Sequence, residues 1–358
     1  MKRIPVTILT GFLGAGKTTL LNRLIAAPGF GDTAVVVNEF GEAGVDGSLI
    51  AQADERAMAM SVGCLCCTIS GDVRLTLLGL LEDAEKGAGP SFDRVIIETT
   101  GLADPAPVLQ IFMTNDHMLS RFALNGLVTV VDAVNGTEAI NEFPEAQRQV
   151  AVADLLILSK ADLAAERDAG ALAALKADLA ARNPNAELIG AETVTPERVF
   201  SLAAFDPAGK PPEVRDWLRF EGGAGHDHGH HHHDGHGHAH DHHHHHDANN
   251  HGQTASAYCF SADGFVEPNE LKDAIFALQR SLGRDLLRIK GLVELTGFPG
   301  CPRVVHVVGH VFSPPSVFDG WPPGVEETRL VLILSGDERD AAAKTFANSV
   351  AALRPFQA

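Results

Sequence analysis

The sequence predicts an α/β fold in which a mostly parallel sheet is covered by helices on both faces. Three observations carry that expectation. Short β-branched runs recur through the first half of the chain: "VTILTG" at 6–11, "AVVVNEF" at 34–40, "RVIIETT" at 94–100, "GLVTVVDA" at 126–133 and "DLLILSK" at 154–160. Helix-like segments separate most of them, at 17–27, 71–86 and 163–182. The runs are apolar almost without interruption, the pattern of strands buried on both faces.

From Asp206 the composition changes, first through "DPAGKPPE" and then through "GHDHGHHHHDGHGHAHDHHHHHDANNH", which has almost no apolar content. Such a stretch buries too little surface to offset its ordering entropy, so 206–254 is expected to be a disordered His-rich linker. Beyond it, "SAYCFSA", "LLRIKGLVEL", "VVHVVGHVF" and "RLVLILSG" read as strands, with helices over 268–281 and 338–353. The expected division is a nucleotide-binding domain at 1–205, the linker, and a smaller α+β domain at 255–358.

The 358 residues, 45% of them hydrophobic, fill one large core and one small one. The opening "MKRIPVTIL" has the basic start and apolar run of a secretory signal, but Pro5 interrupts it and Lys17 follows without a cleavable small-residue site. No apolar run approaches the roughly 18 residues that cross a bilayer, so a soluble, cytoplasmic protein is expected. A net charge of −18 opposes both nucleic acid phosphates and anionic lipid. Neither nucleic acid nor membrane is an expected partner; cations are.

The strongest motif is "GFLGAGKT", Gly11 to Thr18, which follows a predicted strand and opens a predicted helix. It matches the P-loop pattern in the context that confirms it, and so defines a P-loop NTPase. Gly11, Gly14 and Gly16 let backbone N–H groups wrap phosphates, and the helix N-terminus favours an anion. Lys17 would neutralise β/γ-phosphate charge and Thr18 would bind Mg²⁺, with Ala15 and Thr19 completing the cradle. A second strand, in "IIETTG", ends in Glu98, placed to hold Mg²⁺ through water, and Gly101 follows with an N–H for the γ-phosphate. The bland alternative is a solvent-facing glutamate at a strand end. Base choice falls to "LSKADL". Asp162 accepts two hydrogen bonds from guanine that adenine does not offer, and the Lys160 stem covers the ring, which favours GTP over ATP. Ser159 stands where the usual guanine motif has Asn.

Three of the five cysteines, Cys64, Cys66 and Cys67, fall within "SVGCLCCTIS", while Cys259 and Cys301 lie far away. That is no disulfide framework, and near-adjacent cysteines bridge poorly. The cluster follows "NEFGEAGVD", Asn38 to Asp46, in the interval where nucleotide switches carry their mobile loops. Ser70, Gly71 and Asp72 resemble a helix start, which lowers a thiol pKa toward the metal-binding thiolate. In an extended segment Cys64 and Cys66 share one side and Cys67 takes the other, so Cys67 joins them only if the chain turns. Three thiolates leave one tetrahedral position for Glu42, water or a recipient's ligand. A redox thiol pair and small buried core cysteines are the competing readings.

Taken in order, "TGFLGAGKTTLLN", "VVNEFGEAGVDG", "GCLCCTI", "IIETTGLADPAPV" and "SKADL" resemble the CobW-type GTPases, metallochaperone relatives of the hydrogenase and urease nickel-insertion G proteins. The resemblance covers most of the first 165 residues and, more loosely, the C-terminal domain. It implies GTP-dependent binding of a divalent transition metal at Cys64, Cys66 and Cys67, slow GTP hydrolysis with Mg²⁺, and delivery to an apo-metalloprotein client. Zinc-linked members often carry Glu where this chain has Val37. Against that, "ETTGLADP" is closer to the zinc-linked group than to the "ETSGLALP" of cobalamin-synthesis members. Zinc is therefore expected ahead of cobalt. A metal buffer or sensor with a little-used nucleotide site is the alternative, and an ATP-driven kinase is disfavoured by Asp162.

Fifteen of the eighteen histidines lie between His226 and His251. An internal, interrupted tract is unlike an engineered tag. Imidazoles at this density collect Zn²⁺, Co²⁺, Ni²⁺ or Cu²⁺ without preorganisation, at lower affinity than thiolates; a solvated linker with incidental metal affinity is the plainer reading. His306 and His310 are expected on one strand as sheet residues, and His117 has no motif around it.

Overall fold

The computed structural model describes residues 3–38, 65–69, 72–202, 255–262, 264–313, 316–318, 320–321 and 327–356. Two seven-stranded sheets organise them. The first is built from β1 (Ile4–Gly11), β2 (Thr33–Asn38), β3 (Leu65–Ile69), β4 (Arg94–Thr99), β5 (Phe122–Asp132), β6 (Leu155–Ser159) and β7 (Glu187–Gly190). Its order is β3-β2-β4-β1-β5-β6-β7, and every pairing is parallel. The apolar runs of the sequence are its strands.

Helices α1 (Lys17–Ile25) and α8 (Pro196–Phe200) cover one face, where Leu20, Leu21, Leu24, Phe30 and Val199 pack on Leu9, Val35, Ile96 and Val128. The other face is covered by α2 (Val73–Glu85), α3 (Ala106–Thr114), α4 (Asp116–Arg121), α6 (Pro144–Ala151) and α7 (Ala161–Arg182), with α5 (Gly136–Glu142) at the carboxyl end of β5. The long helix expected at 163–182 is two helices meeting at Asp168, whose backbone is extended. Its Oδ1 accepts the N–H groups of Gly170 and Ala171, so the carboxylate caps the second piece.

The second sheet holds β8 (Ser256–Ala262), β9 (Leu286–Val293), β10 (Arg303–Val308), β11 (Val311–Phe312), β12 (Ser316–Val317), β13 (Thr328–Leu334) and β14 (Arg354–Phe356), paired antiparallel. Helices α9 (Pro268–Leu282) and α10 (Arg339–Ser349) cover one side of it. The segment "VVHVVGHVF" is a hairpin and not one strand. Gly309 takes φ 58°, the chain reverses there, and Val308 pairs with Val311. His306 is therefore buried on β10 while His310 lies in the turn, so the two do not share a strand face.

The other side of this sheet packs on the first domain. Leu287, Val308, Val331 and Ile333 join Val108, Val150 and Val152 in one apolar core. Charges cross the same seam. Asp154, at the entry to β6, accepts from Arg288 at 2.9 Å and Lys290 at 2.8 Å, and also from the N–H of Leu127 at 2.9 Å. Arg288 also donates to the carbonyl of Val152. Burial works to raise the Asp154 carboxyl, but the two cations and their hydrogen bonds hold it far below the usual carboxylate range.

Candidate functional site

The carboxyl ends of β1, β4, β5 and β6 converge on the P-loop, where an open parallel sheet is expected to bind its ligand. Gly11 ends β1 so close to β5 that a Cβ there would lie 2.3 Å from the Val130 carbonyl oxygen. Gly16 takes φ 92° as it enters α1, a left-handed conformation that L side chains rarely adopt. No side chain caps that helix, so its first N–H groups face the loop. Gly14, Thr18 and Thr19 are exposed, and Ala15 is buried beneath the loop.

Lys17 is buried at 8% exposure, and its Nζ donates to the carbonyls of Gly11 at 2.8 Å and Phe12 at 3.1 Å. Burial pulls its pKa below the ordinary lysine value, with the Glu98 carboxylate opposing that shift. Thr18 Oγ1 donates to Glu98 Oε1 at 2.6 Å, which puts the hydroxyl and the β4 carboxylate side by side. A hydroxyl beside a carboxylate next to a phosphate cradle is the donor set that a hard divalent cation takes. Thr10 and Thr99 bridge the two strand ends at 2.8 Å. Gly101 packs on the loop so tightly that a Cβ would come within 2.6 Å of the Leu13 nitrogen.

The segment after β6 docks on the same loop. Lys160 adopts φ 55°, and its Nζ donates to the Gly14 carbonyl at 2.9 Å and to Asp132 Oδ2 at 2.7 Å. Ser159 Oγ, where Asn was expected for guanine, donates to the Ala15 carbonyl at 2.7 Å. Asp162 is exposed in the first turn of α7. The structure thus brings Gly11–Thr19, Glu98, Gly101 and Lys160 together, with Asp162 two residues on.

Residues the sequence reading missed hold this arrangement. Asp132 accepts from Lys160, Asn135 Nδ2 and the N–H of Val134. Burial works to raise its pKa, but these donors hold it lower. Its signal was available: a carboxylate closing an apolar strand in "VVDA" needs a partner. Gln149 Nε2 donates to the carbonyls of Gly101 at 3.1 Å and Ala103 at 3.0 Å, and nothing local in the sequence marks it.

Of the expected metal ligands, Cys64 and Glu42 lie outside the described residues, as do the His tract and the interval 39–63. Cys66 and Cys67 occupy adjacent positions of edge strand β3. The register runs Cys66, Val35, Ile96 in one row and Cys67, Val36, Ile97 in the next; the following row holds Thr68, Val37 and Glu98. The Cys67 backbone is thus two strands, about 10 Å, from β4 and one row from Glu98. Asp72 caps α2 by accepting from the Arg74 N–H, as its place at a helix start predicted. Among the described residues no cluster of three or more His, Cys, Asp or Glu forms a metal site. Cys259 and Cys301 are unbridged, and burial pushes the Cys259 thiol up to about 11.

A parallel sheet with a P-loop after its central strand and a second strand-end motif docked on that loop defines a nucleotide-binding protein of P-loop GTPase fold. The family described as CobW/HypB/UreG, nucleotide-binding domain, matches residues 5–190, and the one described as Cobalamin synthesis protein cobW C-terminal domain matches 255–350. The chain belongs to the CobW/HypB/UreG family. It is 44% identical over 168 residues, 47% of its length, to the zinc chaperone YjiA of Escherichia coli (strain K12). It is 39% identical over 167 residues, 45% of its length, to the zinc-regulated GTPase metalloprotein activator 1 of Schizosaccharomyces pombe. These matches span 52% and 39% of the two relatives. The crystal structure of Zn(II)-bound YjiA GTPase from E. coli superposes with a TM-score of 0.66 at 28% identity, covering 97% of this chain and 99% of that one.

Proposed function

We propose that the chain is a GTP-dependent metallochaperone. In this reading it binds a divalent transition metal, zinc ahead of cobalt, at Cys64, Cys66 and Cys67, the last joining only when the extended backbone of β3 turns at that position, hydrolyses GTP slowly, and delivers the metal to an apo-metalloprotein client in the cytoplasm. Lys17 and the backbone of Gly11–Thr19 hold the phosphates. Thr18 and Glu98 hold Mg²⁺, which when bound neutralises charge developing on the transferred phosphoryl group. Gly101 meets the γ-phosphate, and Lys160 and Asp162 select guanine. The domains divide at 1–205, 206–254 and 255–358, with the histidines of the middle segment gathering metal. Zinc chaperones among the relatives support the choice of metal.

The observation that carries this reading is the register of β3, β2 and β4, which sets Cys67 one row from Glu98 across two strands. A change at the nucleotide that moves the end of β4 is transmitted along backbone hydrogen bonds to the cysteine strand, and by linkage metal tightens GTP binding in return. Glu42 or a client ligand completes the coordination.

The test is a chelator-competed titration with Zn²⁺, and separately Co²⁺, in the presence of Mg²⁺ with GTP, GDP or no nucleotide. It is run on the full chain, on a chain lacking 226–251, and on Cys64→Ser/Cys66→Ser. Affinity rising by orders of magnitude only with GTP, and lost in the cysteine variant, is expected. Equal affinity in all three nucleotide states identifies a static metal buffer instead.

A further inference from the structure

Beside the P-loop lies an open cavity of about 290 Å³ that shares Phe12, Leu13 and Ala15 with the loop but is not lined by Lys17 or Thr18. Phe12, Leu13, Val131, Ile140, Phe143 and Val150 wall it. Its volume falls just under the range of pockets that take whole cofactors or drug-sized ligands, which fits one large side chain. Its mouth is apolar and exposed. Leu13 is 57% and Phe143 39% exposed. An exposed apolar patch that runs into a cavity marks a partner site more than a free surface.

Two further features define the occupant. Glu138 and Glu142, both exposed on α5, line the same cavity, so its rim is acidic. Gln149 also lines it at 1% exposure. Both bonds of its Nε2 go to carbonyls, which settles the orientation of the amide. That leaves Oε1, itself buried, with no hydrogen-bond partner among the described residues.

We propose that this cavity is a docking site for a partner protein segment that inserts one tryptophan side chain between basic residues. The indole fills the apolar walls, its N–H meets Gln149, and the flanking Lys or Arg face Glu138 and Glu142. The occupant sits against Leu13, which packs on Gly101, and against Gln149, which holds the Gly101 and Ala103 carbonyls. Docking and nucleotide state are therefore coupled, and each changes the other's affinity by the same factor. The inference rests on the nucleotide site and is independent of metal.

The experiment uses metal-free full-length protein loaded with GDP or a non-hydrolysable GTP analogue. Acetyl-Lys-Trp-Lys-amide, acetyl-Glu-Trp-Glu-amide, acetyl-Lys-Ala-Lys-amide and free indole are titrated by calorimetry. The Lys-Trp-Lys peptide is expected to bind at least about tenfold tighter than the other three, with different affinity in the two nucleotide states. Ala139→Phe, which fills the cavity, abolishes binding; Glu138→Lys/Glu142→Lys, on the exposed rim, reverses the preference toward Glu-Trp-Glu and keeps the test valid if the filled variant folds poorly. Equal binding of the two tryptophan peptides, tighter binding of free indole, or no binding at millimolar peptide overturns the proposal. So does binding that appears only in Trp217→Ala, which would assign the site to this chain's own Arg215, Trp217 and Arg219.

Discussion

Lys17 in the P-loop and Lys290 in the seam between the domains are both buried, at 8% and 3% exposure, yet they are held by different means. Lys17 Nζ is held by two carbonyl oxygens, which orient a cation without cancelling its charge. Lys290 Nζ meets the Asp154 carboxylate directly at 2.8 Å, and Arg288 shares that carboxylate. Burial lowers both lysines: Lys17 against the opposing Glu98, and Lys290 to about 8 with Asp154 opposing and Arg288 adding to the shift. On the proposed function, the difference separates a charge kept for a ligand from a charge consumed by the fold. A lysine that is to meet phosphate must keep its field, whereas one that joins two domains must lose it.

The sharpest way to break this comparison is Asp154→Asn. It leaves Arg288 and Lys290 buried without their carboxylate and is expected to cost about 3–5 kcal/mol, read as a fall in unfolding midpoint. Asp154→Leu/Arg288→Met/Lys290→Met removes the whole cluster and is expected to recover most of that loss. If the triple variant is no better than the single one, the seam is held by geometry and not by compensated charge.

Lys17→Met makes the opposite cut. Nucleotide affinity is expected to fall by about 1.5–3 kcal/mol, roughly tenfold to a hundredfold, while the urea midpoint moves far less than for Asp154→Asn. A stability loss as large as that at Asp154 would mean that Lys17 is also a structural charge. Gly101→Ala sharpens the same side, because its methyl group meets the Leu13 backbone. Overpacking there is expected to cost about 1–3 kcal/mol in equilibrium unfolding.

The smallest effect concerns His306. Burial first, then Arg288 and Lys290, push its pKa well below 6.5, while Asp154 works the other way. The unfolded chain takes up a proton near pH 6.5 that the folded chain refuses, so the stability this neutral ring contributes is present above that pH and lost as pH falls below it. His306→Leu is expected to flatten the decline in thermal midpoint between about pH 7 and pH 5 relative to the unaltered chain. Parallel curves for the two proteins would show that His306 titrates alike folded and unfolded.

Much of the P-loop's geometry was legible because its parts are local. Gly11 to Thr18 span eight residues, and a glycine pattern between an apolar strand and a helix has one structural use. Glu98 could be read from its place at the end of an apolar run. Gln149 could not, because its partners Gly101 and Ala103 lie 48 and 46 residues away. The seam was harder still. Arg288 and Lys290 alternate with Leu and Ile along β9, the pattern of a strand with one solvent face, yet the whole strand is buried.

By itself, then, the sequence determined the parallel sheet, the glycine-rich P-loop and the presence of a second, mixed domain, since apolar periodicity and glycine geometry act over a few residues. Tertiary structure alone decided that Lys160 locks onto Gly14 and Asp132, that "VVHVVGHVF" folds back at Gly309, and that Asp154 takes its partners 134 and 136 residues away. The first and last of these depend on which charges desolvation forces together, and desolvation is a property of the packed chain and not of any window along it.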